Sequence, residues 1–329
     1  MNGRVLITGA SGFVGYHLIE EALREGLEVY AAVRASSQVD HLRALPVKFT
    51  QPDFSNLKSL RADLEQHRYD YIIHAAGITK ALHRKEYDLV NAEYTRNLGQ
   101  AIVETQLPLK KLVFISSLAA VGPSANGHPI TEHDAANPVT PYGKSKLLAE
   151  FYLSTLYALP IIVLRPTAVY GPRDRDLFIV LKAISRGIEP YIGRQEQKLS
   201  FIYVKDLATA TLDALRSNVT RKAYNVSDGV PYDRYAMADI SKAIMRKQTL
   251  RLHLPGALVK VMAAAQEAVG RLRGQMPALN LDKLPELTAA NWSCSIDHIK
   301  EDLGFQPRYS FERGLTETIQ WYKEQRWLK

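Results

Sequence analysis

Short apolar runs of four to six residues recur through the first half of the chain. Longer stretches separate them, in which apolar residues return every three or four positions. Runs of the first kind read as buried strands and stretches of the second kind as helices. Strands are predicted over "RVLIT" (4–8), "EVYAAV" (28–33), "VKFTQ" (47–51), "YIIHAA" (71–76), "LVFISS" (112–117) and "IIVLRP" (161–166). Helices are predicted near 13–25, 55–66, 84–106 and 142–157, and another from Val204, followed by a strand at "AYNVS" (223–227). Near-continuous apolar strands alternating with helices point to an α/β fold with a parallel, doubly wound sheet of Rossmann type.

The rhythm changes after Pro166. Residues 171–203 carry glycine, proline and charged turns, and 254–290 is helix-rich and punctuated by prolines. The expected layout is a nucleotide-binding domain over 1–170, rejoined by the strand at 223–227, and a smaller, mostly helical, discontinuous substrate lobe over 171–329. Within that lobe, "LVKVMAAAQEAVGRLRG" (258–274) is helical, with an apolar face and a basic end. Two readings stay open for it: a helix packed on the lobe, or a lid or membrane-surface contact.

Composition narrows the classes. With 46% hydrophobic and 23% charged residues the 329-residue chain is an ordinary globular protein. Its net charge of +8 is spread along the sequence rather than gathered in a stripe, so no nucleic-acid partner is expected. One cysteine, Cys294, excludes an internal disulfide, and no metal-ligand spacing occurs among the histidines. The longest apolar stretch is interrupted by Lys260, Gln266 and Glu267, so no membrane span is expected. The first strand begins at once, leaving no room for a signal peptide, and the cytoplasm is the expected compartment.

"LITGASGFVG" runs from the first strand into the first helix with glycines at 9, 12 and 15. Gly9 permits the tight turn, Gly12 lets backbone approach a pyrophosphate, and Gly15 lets helix pack on sheet. The second strand ends "AAVRASS", with Arg34, Ser36 and Ser37 where NAD-binding proteins place a carboxylate. A guanidinium beside hydroxyls suits a 2′-phosphate, which favours NADP, with NAD possible; the alternative is a surface arginine holding nothing. "HAAG" (74–77) and "ISS" (115–117) fall at strand ends, where open α/β sheets bind ligands. In "YGKSK" (142–146), Tyr142 and Lys146 lie one helical turn apart on one face. A lysine ammonium there, with a positive nicotinamide ring, is expected to draw the tyrosine pKa down toward neutrality.

The ordered set of "TGASGFVG", Asp53, "HAAG", Asn91, Ser116-Ser117, "YGKSK" and "LRPTAVYGP" resembles an extended short-chain dehydrogenase/reductase, the NAD(P)-dependent epimerase/dehydratase superfamily. "SFIYVKDLA" and the ending "DLGFQP" extend the likeness to the whole chain. The resemblance implies Tyr142 as general acid/base, Lys146 as its activator and ribose ligand, and Ser117 as the hydroxyl that polarises the substrate oxygen. It implies a dinucleotide lying along Gly9, Ser11, Gly12, Phe13, Val14, Arg34, Asp53, Phe54, Ala75, Ala76, Gly77, Asn91, Ser116, Tyr142, Lys146, Pro166 and Val169. It also implies a homodimer paired through the helices near 84–106 and 142–157.

Within that superfamily the chain departs from the sugar-modifying branches. Sugar dehydratases typically place an Asp-Glu pair after the catalytic hydroxyl, whereas Leu118, Ala119 and Ala120 follow Ser117 here. Ala168 and Ser200 stand where nucleotide-sugar enzymes favour an asparagine and an arginine, although Arg173, Arg175 and Arg194 could substitute. The pattern is closest to dihydroflavonol-4-reductase-like and 3β-hydroxysteroid-dehydrogenase-like proteins. The expected activity is NADP(H)-dependent hydride transfer to or from a ketone or secondary alcohol of a small, moderately apolar substrate. Tyr170, Phe178, Tyr191 and Tyr203 are candidates for either its pocket wall or the lobe core. The alternatives are a nucleotide-sugar epimerase or dehydratase with tightly bound cofactor, and a non-catalytic NADP-sensing protein.

Overall fold

The apolar runs of the first half fold into one parallel sheet. The structure, a computed structural model, describes residues 2–272, 277 and 279–328. Its strands are β1 (Arg4–Thr8), β2 (Glu28–Ala32), β3 (Lys48–Thr50), β4 (Tyr71–His74), β5 (Lys111–Ile115), β6 (Ile161–Pro166) and β7 (Lys222–Val226), in the spatial order β7-β6-β5-β4-β1-β2-β3. Every neighbouring pair is parallel. Side chains alternate between faces, so each strand feeds two cores. Val5 and Ile7 join Leu18 and Leu207 on one face, while Leu6 joins Leu60, Leu98 and Leu153 on the other. Burial on both faces explains why these strands are apolar throughout.

The chain leaves β1 in one direction toward β2 and β3, then returns to place β4 on the other side of β1. The crevice opens at such a reversal, beyond the carboxyl ends of the strands. The glycine turn follows β1 at this edge, and Ala75–Gly77 and Ser116–Ser117 follow β4 and β5 there. Two predicted strands overran it: β4 ends at His74 and β5 at Ile115, which leaves Ala75–Gly77 and Ser116–Ser117 as loop at the crevice.

The lobe is mostly helical and adds short strand pairs. Ile188–Ile192 pairs with Leu250–Leu254, and Ala168–Tyr170 with Phe201–Tyr203, both in parallel. A third core gathers Tyr170, Phe201, Tyr203, Phe311 and Tyr322 beneath the last helix, Phe311–Glu324. The helix expected at 258–274 runs Gly256–Leu272, and residues 273 and 274 lie outside the described residues. It buries Val259, Ala263 and Glu267 at four-residue spacing yet leaves Leu258, Val261 and Val269 exposed. Packing therefore accounts for only one of its apolar faces. Among the described residues no helix is long and apolar enough to cross a membrane.

Candidate active site

The glycine turn after β1 is shaped by contacts that exclude side chains. Gly9 has φ +68°, and a Cβ there would stand 2.6 Å from the Ala75 carbonyl oxygen. A Cβ on Gly15 would stand 2.1 Å from the Gly9 carbonyl, so helix and strand approach as the motif predicts. Gly12 differs, since its Cβ would meet only the Gly9 carbonyl, at 3.2 Å. The helix that follows, Phe13–Arg24, has no side-chain cap and no acidic residue in its first turn. Its leading amides and dipole are thus available to an anion. A pyrophosphate fits this cradle.

Past β2, Arg34 is exposed and its guanidinium pairs with no described carboxylate. Its backbone is held in a turn by Ser37, whose Oγ accepts from the Arg34 N–H at 3.0 Å. Asp53 is also exposed, and Ser55 donates to it from Oγ (2.7 Å) and N–H (2.9 Å), holding its carboxyl below the ordinary value. Phe54 stacks on His74 at 6.1 Å.

His74 anchors the floor of the crevice. Thr95 Oγ1 donates to the Asn91 carbonyl at 2.8 Å, so it must accept from His74 Nε2, also at 2.8 Å. The imidazole is then the Nε2–H tautomer, and Thr8 Oγ1 donates to Nδ1 at 2.7 Å while accepting the Ala76 N–H at 3.0 Å. This chain ties β1, β4 and Asn91 together. Burial first, and then the Lys146 charge, push the imidazole down to about 3. The unfolded chain protonates this residue near 6.5 and the native state does not, so stability falls with decreasing pH from about 6.5 toward about 3. The slope expected from this group is about 1.4 kcal/mol per pH unit. Urea midpoints at pH 7.0 and 5.0 should converge in His74→Asn relative to the wild type; equal pH dependence in both would refute it.

Ser117, Tyr142 and Lys146 come together beyond β5. Ser117 caps the short turn Leu118–Ala120, its Oγ accepting from the Ala119 N–H at 3.1 Å, and its hydroxyl acts on the Tyr142 phenol to lower its pKa. Helix Pro141–Thr155 begins with Pro141 in its first turn, behind Thr140, whose Oγ1 accepts from the Gly143 N–H at 3.0 Å. Lys146 is buried, with Nζ donating to the Ile115 carbonyl at 2.8 Å and 4.7 Å from the Phe114 ring. Burial draws its ammonium down to about 8 against the pull of Glu150. Tyr142 is shifted by the chain's own groups in both directions. Burial pushes its phenol up to about 12, Ser117 pulls it down, and Glu286 and Tyr87 push it up further. In this fold desolvation outweighs any help the protein's own groups give the phenolate.

The other expected contacts divide. Asn91 sits in a π-helical segment, Asp88–Glu93, that interrupts the helix expected at 84–106. Such segments re-aim a side chain within a helix, and this one turns Asn91 onto the crevice loop. Its Oδ1 accepts the Ile78 N–H at 2.8 Å, and its Nδ2 donates to the Ile78 carbonyl and to Ser145 Oγ at 2.9 Å. A Cβ on Gly77 would meet Asn91 Oδ1 at 3.0 Å and Lys146 Nζ at 3.5 Å, so only glycine lies flat there. Ser116 is buried and its hydroxyl donates to Glu150, the structural one of the two roles expected for it. Glu150 in turn grips Arg165 through both oxygens, at 2.6 and 3.1 Å. Ser11, Phe13 and Val14 lie in the glycine turn and first helical residues, Pro166 ends β6, and Val169 pairs with Ile202.

The sequence reading found no role for Gly143 and Ser145, and both have one. A Cβ on Gly143 would sit 2.2 Å from the Ala119 carbonyl, so glycine lets the helix abut the Ser117 turn. Ser145 links Asn91 to the Tyr142 carbonyl. Glu286, the charge that acts on Tyr142 from the lobe, belongs to no motif and lies 144 positions away in the chain.

Two cavities flank the cluster. The larger, about 580 Å³, starts at Ser117, Leu118 and Ala119 and runs into the lobe between Leu177, Ile184, Met237, Leu254, Val259 and Met262. Most of its wall is apolar, as in small-molecule sites. Of the four aromatic candidates only Tyr191 lines it. Tyr170 and Tyr203 are core, and Phe178 packs on Tyr322 and Trp327. The smaller cavity, about 90 Å³, lies between Tyr142, Thr140, Tyr87 and Glu286.

Residues 5–227 match the profile of the NAD dependent epimerase/dehydratase family. A ceramide reductase from Caulobacter vibrioides is 25% identical, covering 99% of this chain and 96% of its own. A UDP-glucose 4-epimerase from Vibrio cholerae is 27% identical, covering 96% and 94%. The crystal structure of the UDP-glucose 4-epimerase from Thermus thermophilus in complex with NAD shares the fold, with a TM-score of 0.78 at 22% identity over 97% of this chain and 99% of that one.

Proposed function

We propose a reaction from one premise: the chain belongs to the NAD dependent epimerase/dehydratase family and is an NAD(P)-dependent enzyme of the extended short-chain dehydrogenase/reductase type. The reading is an NADP(H)-dependent oxidoreductase that interconverts a ketone and a secondary alcohol on an apolar substrate. The observation that carries it is the cavity beside Ser117, whose wall is built largely of Leu, Ile, Val and Met side chains. A nucleotide sugar brings a diphosphate; Arg234 lines the cavity with both terminal nitrogens donating to the Gln195 and Ile192 carbonyls, and two of the three arginines singled out from the sequence are engaged elsewhere. Arg173 stacks on Tyr16 at 3.8 Å, and Arg175 lies over Trp327 at 5.9 Å. The likeness to a ceramide reductase supports the same reading.

In this assignment the sheet of residues 1–170 holds the dinucleotide over the Gly12 cradle, and the lobe of 171–329 holds the substrate. Bound there, the dinucleotide supplies the hydride donor or acceptor. Ser117 Oγ and Tyr142 Oη converge on the substrate oxygen, the first donating a hydrogen bond and the second giving up its proton in reduction or taking it in oxidation. Lys146 keeps positive charge one turn behind the phenol. Asn91 and Gly77 hold the crevice loop flat against the ammonium. A homodimer through the helices of 84–104 and 141–155 would cover Leu89 and Phe151, which are exposed in the single chain.

The preference for NADP rests on Arg34 with Ser36 and Ser37. Arg34→Ala should lower kcat/KM for NADPH about tenfold or more while changing that for NADH little, the scale of one hydrogen bond to a charged group. A wild-type enzyme that favours NADH would sink the assignment. Isomerisation of a nucleotide sugar without net cofactor oxidation would overturn the reductase reading.

A further inference from the structure

Glu286 stands at the junction of the two cavities. It lines the small one with Tyr142 and Thr140 and the large one with Ser117 and Leu118. Its backbone carbonyl accepts from the Trp292 indole at 2.9 Å, which fixes the residue in place. Its carboxylate has no hydrogen-bond donor and no ion-pair partner among the described residues. The nearest charge acting on it is Lys283, which already reaches toward Asp176 at 4.0 Å. Burial pushes the carboxyl above its ordinary range against that pull.

Glu286 is half-buried, and a carboxylate at a pocket wall with no donor among the described residues is open to a hydrogen bond from a ligand. Acids elsewhere in the lobe do not share this state. Glu189 is gripped by Arg251 and Lys242, and Asp174 accepts two backbone N–H groups. Glu286 has no such grip among the described residues, and it lines the cavity that holds Tyr142 as well as the one that begins at Ser117.

On the reading that the enzyme is a carbonyl reductase for apolar substrates, we infer that Glu286 is a specificity subsite. It accepts a hydrogen bond from a hydroxyl or amide N–H carried next to the reacting carbonyl of a long-chain, amphiphilic ketone. The hydrocarbon chain fills the cavity toward Leu254, Val259 and Met262, and the polar end turns toward Glu286. A site built to pair a substrate donor rejects the analogue lacking it far more strongly than an apolar pocket rejects a missing methylene. Glu286 also raises the Tyr142 phenol, together with Tyr87 and against Ser117, so its charge tunes the acid/base residue from across the pocket.

The test compares 1-hydroxy-2-dodecanone with 2-dodecanone on the full-length enzyme, by NADPH oxidation and by calorimetric binding. The wild type should favour the hydroxyketone at least tenfold in kcat/KM and in affinity. Glu286→Leu should erase that preference while still turning over 2-dodecanone, and Glu286→Gln, which keeps an acceptor, should retain part of it. In Glu286→Gln the pH dependence of alcohol oxidation should also shift to lower pH, since the phenol loses a neighbouring negative charge; a merely structural residue leaves that profile in place. Equal handling of the two ketones by the wild type, or an unchanged preference in Glu286→Leu, overturns the inference. If neither ketone is reduced, the reductase reading fails, and the calorimetric comparison still decides whether Glu286 discriminates the donor.

Discussion

Tyr142→Phe is expected to lower kcat by about three orders of magnitude, in the range set by removing a positioned general acid/base, while dinucleotide affinity stays within about twofold. The substitution deletes one hydroxyl and leaves the ring, the helix cap at Thr140 and the Lys146 contact to Ile115 in place. Only the phenol's interaction with Ser117 is lost, and Ser117 keeps its hold on the Ala119 N–H. The melting temperature should therefore barely move, which separates lost chemistry from lost structure. The wild-type pH profile carries the same assignment. Burial holds the free phenol near 12, so alcohol oxidation, which needs the phenolate, should rise with pH through the neutral range until Lys146 begins to lose its charge near 8. Residual activity within tenfold of wild type, or an unaltered pH limb in Tyr142→Phe, would remove Tyr142 from the proton path.

The sheet was legible in the sequence because its strands are buried on both faces, and the Val5–Ile7 stretch of β1 has no polar position to confuse the pattern. The crevice was legible for a different reason. Gly9, Gly15 and Gly77 are required by contacts of 2.1–3.0 Å with backbone or with Asn91, and such constraints leave glycine as the visible trace. The lobe was harder. Ile188–Ile192 and Leu250–Leu254 are short, half-exposed strands with a proline in the first, and nothing in so brief a pattern separates them from turns. The π-helical segment at Asp88–Glu93 carries no glycine or proline to mark it. It became visible only through the bonds that Asn91 makes. Glu286 was beyond reach of any motif, since its role depends on tertiary proximity to Tyr142. The burial that raises the Tyr142 phenol was not legible either, because sequence reports the neighbouring charge and not the depth of burial.

The largest loss of stability is expected at Glu150, one turn beyond Lys146 on the same helix. Glu150 and Arg165 form a two-oxygen ion pair with side chains only 9% and 13% exposed, and Ser116 donates to the same carboxylate. Glu150→Ala leaves the guanidinium buried without its partner, at a cost of about 3–5 kcal/mol. Replacing both charges, as in Glu150→Leu with Arg165→Met, removes the stranded charge and should recover most of that loss. Urea unfolding of the two variants checks this, and a double variant no more stable than Glu150→Ala would refute it. The pair also reaches the chemistry. Glu150 supports the Lys146 ammonium against burial, which already holds it near 8. A lysine loses its charge above its pKa, so any folded variant lacking Glu150 should lose Lys146 protonation at a lower pH than wild type. Its activity should then decline earlier on the alkaline side, even where the protein remains fully native. Helix Pro141–Thr155 thus joins stability and catalysis through one carboxylate, which is why Ser116 turns inward to Glu150 while Ser117 turns outward to Tyr142.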